Sequence, residues 1–98
     1  MVATQNWDSS LSAADVQALR RKFTATVRPV LAGLAGGECS GSYSNEGDVL
    51  EPDFRATFFG SKYPRLEKTK TEYDPNDLFI VPVGVRSEHW DSEGMCTI

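Results

Sequence analysis

Tyr43, Asn45 and Glu46 stand together in the stretch Gly41-Ser42-Tyr43-Ser44-Asn45-Glu46-Gly47-Asp48, which brings a phenol, an amide and a carboxylate within a few residues of one another. A carboxylate accepts protons, but with an ordinary pKa of about 4.3 it is a weak base at neutral pH unless burial raises that value by about two units. The competing reading makes Glu46 a loop-fixing hydrogen-bond or ion-pair partner and Asp48 a turn or cap residue. Gly33, Gly36, Gly37, Gly41 and Gly47 surround the stretch, with Ser40, Ser42 and Ser44 between them. Such composition allows close approach by a ligand, and it is equally that of a plain linker.

Other reactive side chains carry weaker signals. His89 is the single histidine, flanked by Glu88 and Asp91. Adjacent positions rarely converge on one ion, and this spacing matches no zinc motif, so no metal site is assigned. Cys39 and Cys96 are not in CxxC spacing, and free thiols are preferred to a disulfide. Arg20-Arg21-Lys22 reads as a solvated helix face. Tyr63, Tyr73, Phe54, Phe58, Phe59 and Phe79 read as packing or docking residues.

The 98 residues hold 40% hydrophobic and 24% charged side chains and a formal net charge of −4, the balance of one small globular unit without the cationic surface that nucleic acid requires. No apolar run approaches the roughly 18–20 residues that span a bilayer, and Met1 to Asp8 lacks the basic and apolar regions of a signal peptide. The expectation for this chain is therefore cytoplasmic, with neither nucleic acid nor membrane as partner.

The elements that must position these groups begin after a polar lead-in over residues 1–10, expected to be disordered. Residues 11–40 form an amphipathic helical segment: Ser12 caps a helix from Ala13, Asp15 complements its dipole, and Val16, Leu19, Phe23, Val27, Val30 and Leu34 line one stripe. Pro29 predicts a kink or restart near Val27-Arg28, and Gly36-Gly37 an end. Glu51-Pro52-Asp53 opens a short aromatic helix that stops at Gly60, and Ser61 caps a second helix running to Tyr73, with Asp74-Pro75 closing it. Leu78-Phe79-Ile80-Val81 is a strand or a buried extended segment, and the tail over 92–98 has no period. The fold class expected is an α+β fragment: amphipathic helix, Gly-rich extended segment, two short helices and an irregular tail, mostly helical if isolated.

The order Tyr43-x-Asn45-Glu46-x-Asp48, Phe59-Gly60-Ser61-Lys62-Tyr63-Pro64-Arg65-Leu66, Lys70-x-x-Tyr73-Asp74-Pro75-x-x-Leu78-Phe79 resembles the C-terminal berberine-bridge-like region of FAD-linked oxidoreductases. The fungal branch of this vanillyl-alcohol-oxidase-type family is the more similar, through Gly84-Val85, Ser87-Glu88 and Trp90, and the resemblance covers residues 41–91. It implies a parent enzyme in which an N-terminal α+β domain binds FAD and a second domain covers the isoalloxazine ring. It further implies that Tyr43 and Asn45 lie near the flavin, where an amide that both donates and accepts matches the polar edge of the ring. Many plant members carry a tyrosine base at the position occupied by Glu46, so Glu46 is the catalytic candidate by that carry-over.

The parent family is often secreted, and its pyrophosphate cradle has no counterpart here, since Gly36-Gly37 and Gly41 follow a helix instead of opening one. The reading is a C-terminal part of an FAD-dependent oxidase, expected to be inactive alone, with a flavin-binding domain of the same or a companion chain and a small-molecule substrate as partners. A non-enzymatic helical interaction module, docking through the Val16-to-Leu34 stripe and the phenylalanine cluster, is the alternative, and apolar surface left exposed by a missing domain would likewise associate with itself or another protein.

Overall fold

The computed structural model describes residues 2–37, 41–91 and 94–98. The chain divides into two compact units, residues 1–40 and 41–98.

The first unit is built on helix α1, Ala13–Leu34. The Ser12 hydroxyl accepts the Asp15 N–H at 3.2 Å and donates to the Asp15 carboxylate at 2.6 Å, a reciprocal cap that satisfies donors otherwise orphaned in the first turn. Val16, Leu19, Phe23, Val27 and Leu31 are half-buried, whereas Val30 and Leu34 at the end of the expected stripe are exposed. The helix runs through Pro29 without the expected restart. Pro29 and Ala25, whose carbonyl loses its helical donor, are both exposed, so water can take the missing partner's place. Past Leu34 the chain turns through Gly36 and Gly37, both at positive φ, and the Gly37 N–H closes on the Ala32 carbonyl at 2.8 Å.

The second unit holds α2, Tyr63–Tyr73, preceded by a π-helical segment, Arg55–Phe59, and a 3-10 turn, Gly60–Lys62. Gly60, at φ 56°, supplies the left-handed residue that separates the two turns. Pro64 lies in the first turn of α2, where its missing N–H costs nothing, but Ser61 does not cap the helix: Lys62 holds that position with no side-chain bond.

The α+β expectation is corrected. Among the described residues there is no strand, only an isolated antiparallel bridge between Trp90 and Thr97. Leu78, Phe79 and Val81 are exposed instead of buried, because Asp74 ties the Leu78 and Phe79 N–H groups into a turn at 2.9 and 3.0 Å and prevents an extended run. The Gly-rich extended segment is corrected too. Gly33 belongs to α1, and Ser44–Glu46 coils into a 3-10 turn. Cys39, and with it the question of pairing to Cys96, lies outside the described residues; the Cys96 thiol is free and exposed.

Tyr63 is the buried aromatic of the second unit. Its ring meets Phe54 edge-on at 6.2 Å and Phe59 at 5.7 Å, and the Arg55 guanidinium lies 5.7 Å from its centroid. Its hydroxyl donates to the Glu88 carboxylate, 2.6 and 2.7 Å from the two oxygens, and accepts the Arg86 N–H at 3.0 Å. Beside it, buried Asp77 accepts from Trp90 Nε1 at 3.2 Å and pairs with Arg86 at 3.3 Å. These bonds fasten the irregular 77–90 segment to α2 in place of a sheet ladder.

Two predictions follow from these contacts. Burial, the Glu88 hydrogen bond and the adjacent carboxylate push the Tyr63 phenol up to about 12. The neutral phenol is therefore favoured in the folded state, so this stabilisation is complete below about pH 10 and is lost as pH rises towards 12. Tyr63→Phe, which strands the Glu88 carboxylate and the Arg86 N–H, is expected to destabilise the chain by about 1–3 kcal/mol in urea unfolding and to remove that alkaline loss. At the far end of α2, the Lys70 ammonium and then the Phe79 and Leu78 N–H groups hold Asp74 down at about 2. Its contribution is present above about pH 4 and disappears as pH falls through 2. An acid titration of Tm should show Asp74→Asn less stable than wild type at neutral pH, with the difference vanishing by pH 2.

Candidate functional site

The Tyr43–Glu46 loop is held from below by local hydrogen bonds. Asp48 accepts the Leu50 N–H at 2.9 Å, the Asx turn expected of this residue, and the Glu51 N–H closes on the Asp48 carbonyl at 3.0 Å. Glu51 is buried, and its carboxylate accepts the Thr57 hydroxyl at 3.3 Å and the Asp53 N–H at 3.4 Å. The Thr57 carbonyl then accepts the Ser42 N–H at 2.9 Å, tying the start of the loop to the π-helical segment.

At the other end of the loop, Gly47 lies against the Phe58 ring. A Cβ added there would stand 2.5 Å from Cζ and 2.6 Å from Cε1, so the absence of a side chain lets the loop close on the ring. Its φ of −77° is ordinary, and close approach, not backbone freedom, is the reason for glycine here.

On this support the 3-10 turn Ser44–Glu46 presents its side chains outward. Asn45 Nδ2 donates to the Tyr43 hydroxyl at 2.9 Å, so the two expected flavin contacts form one hydrogen-bonded pair. Tyr43, Asn45 and Glu46 are all exposed. Among the described residues the Glu46 carboxylate makes no hydrogen bond or ion pair, and this chain does not supply the burial that base chemistry demands. The Tyr43 phenol and the Asn45 amide therefore stand paired at an exposed edge, with the exposed Glu46 carboxylate next in the chain. The donors that would cradle a pyrophosphate are not part of it.

Sequence reasoning missed two features of the site. Glu51 was read as a helix-start carboxylate, yet it is the buried acceptor under the loop; its position four residues before Arg55 gave no hint of Thr57. Gly47 was read within a flexible stretch, although its contact with Phe58 is what compacts the loop.

The sequence from 42 to 86, which contains this loop, its support and α2, matches the model of the family described as berberine and berberine like. An uncharacterised FAD-linked oxidoreductase of Arthroderma benhamiae is 38% identical over 96 residues, 98% of this chain and 16% of its own length. The FAD-linked oxidoreductase asqF of Emericella nidulans is 45% identical over 92 residues, 93% of this chain and again 16% of its own. This chain belongs to the berberine-like FAD-linked oxidoreductases.

A flavin-dependent oxygenase, ucdF, of Aspergillus ustus is 55% identical over 56 residues, 57% of this chain and 10% of its own. The chain thus spans about a sixth of the length of the Arthroderma benhamiae and Emericella nidulans relatives. No solved structure matches it.

The berberine-like loop depends on Gly47 for its closure. Gly47→Ala is expected to force the Phe58 ring aside and to cost about 1–3 kcal/mol of stability, with Phe58→Leu in the same chain recovering part of the loss. Thermal or urea unfolding of the single and double variants measures both.

Proposed function

We propose that residues 41–91 form one wall of the flavin and substrate site of a larger FAD-linked oxidase, with the chain inactive by itself. The observation that carries this reading is the exposed Tyr43–Asn45–Glu46 surface on a hydrogen-bonded support, inside the region that matches the berberine-like family. FAD, when bound by the remainder of the enzyme, supplies the hydride acceptor. Tyr43 offers its ring and hydroxyl to the flavin edge, and Asn45 orients that hydroxyl while keeping its own carbonyl oxygen free for the ligand. Glu46 takes the proton from the substrate as hydride leaves the adjacent carbon. Contact with the rest of the enzyme covers Glu46, the burial that a base role requires of it.

The partner is a flavin-binding domain, and a small organic molecule is the substrate. Exposed Leu78, Phe79 and Val81 supply an apolar surface for docking that domain. The same surface supports the second reading, a helical interaction module that associates with copies of itself.

A chimera distinguishes them. With residues 41–91 grafted in place of the matched segment of the Emericella nidulans relative, flavin absorbance should be retained on purification. Asn45→Ala should lower the retained flavin several-fold. Glu46→Gln should keep flavin bound but slow its reduction by substrate by about 100-fold or more, within the range of general-base contributions. An unchanged reduction rate in Glu46→Gln sinks the base role. Full flavin retention and activity in all variants, together with a stable oligomer of the free chain that Phe79→Asp dissolves, favours the interaction module.

A further inference from the structure

Glu67, Glu88 and His89 each direct a ligand atom to one place, where the three atoms lie within 4.8 Å of one another. Glu67 projects from α2, and Glu88 and His89 come from the 3-10 turn Ser87–His89. Glu67 and His89 also border a shallow depression on α2, together with Pro64 and Thr71. His89 and Glu88 alone are neighbours in sequence and would make a poor pair of ligands. Glu67 joins them only because the Tyr63 and Arg86 contacts bring the turn against α2.

We propose that these three side chains bind a divalent transition-metal ion of the zinc type. An imidazole with two carboxylates is a donor set for such an ion, and it leaves a position open to solvent. Bonds of about 2.0–2.2 Å in tetrahedral geometry set ligand atoms about 3.3–3.5 Å apart, so the triad needs a modest closure, to which the exposed His89 ring and the half-buried Glu67 side chain can contribute by rotation. Calcium and magnesium fit poorly, since each requires six or more oxygen ligands in most protein sites.

Support behind the ligands strengthens the case. Glu88 is oriented by the hydroxyl of Tyr63, itself buried, in the manner of an outer-shell partner that fixes a metal-binding carboxylate. The backbone of His89 is held on both sides, its N–H to the Arg86 carbonyl at 3.1 Å and its carbonyl to the Ile98 N–H at 2.9 Å. Two cationic side chains, Lys68 and Arg86, border the same depression. Arg86 is already engaged by Asp77 at 3.3 Å and by the Thr71 hydroxyl at 3.1 Å, while the exposed Arg55 pairs with Glu88 at 3.5 Å, a contact that a bound dication has to share or displace. The site uses none of Tyr43, Asn45 and Glu46 and does not rest on the flavin reading.

The test is a calorimetric titration of zinc chloride into the full 98-residue chain carrying Cys39→Ser and Cys96→Ser, which removes thiol ligands from the count. One ion per chain at micromolar affinity is expected. His89→Ala and Glu67→Gln, whose side chains are exposed and half-buried respectively, should each weaken binding at least tenfold while leaving the far-UV circular dichroism unchanged. Absence of binding heat, or affinity unchanged in both variants, overturns the proposal.

Discussion

The Tyr63 hydroxyl joins α2 to a segment with no regular structure of its own, donating to Glu88 while accepting the Arg86 N–H. Among the described residues downstream of α2 there is neither a ladder nor a helix long enough to be self-supporting, so their position has to be set by side-chain contacts. The phenol does this well because its ring and its hydroxyl work in different media. The ring is packed among Phe54 and Phe59, and the oxygen reaches the polar edge where Glu88 and Arg86 lie. Burial around the hydroxyl makes the bond to the carboxylate harder to replace with water.

A second polar knot, Asp77 with Arg86 and Trp90, follows the same logic at lower satisfaction. Asp77 Oδ1 and Arg86 Nε are buried without hydrogen-bond partners, and Asp77, Val83 and Arg86 all sit at positive φ. Strain and unmet polar groups gathered in one place are tolerated where surrounding contacts over-determine the chain. Here the strained backbone turns Arg86 so that its N–H faces Tyr63 while its guanidinium faces Asp77.

The berberine-like loop is organised differently. Its members are stabilised from one side by short-range bonds among Asp48, Glu51, Thr57 and Ser42, and its other side is left to solvent. That one-sidedness suits a surface completed by another part of an enzyme, as do the exposed Leu78 and Phe79. With Tyr63 the one buried aromatic among the described residues, the chain has little apolar area to spare, and yet it leaves large side chains uncovered.

Local physics was legible in the residues themselves. The Ser12 cap, the start at Ala13, the end before Gly36-Gly37, Pro64 in the first turn of α2 and the stop at Asp74 all depend on neighbours within a few positions. So was the family, because its motif is an order of short pieces along the chain. Residues 78–81 misled because an apolar run is compatible with a buried strand, and the competing bonds from Asp74 act across a turn that composition does not disclose. The restart expected at Pro29 does not occur because its cost depends on whether the freed carbonyl meets water, a matter of burial. The sequence by itself determined the two α-helices, the Ser12 cap and the berberine-like motif, all of them products of local backbone preferences and linear spacing. Only the tertiary structure decided that Tyr63 would be the polar anchor, that Gly47 would close on Phe58 and that Glu67 would meet Glu88 and His89, since each joins groups whose distance in space is unrelated to their distance along the chain.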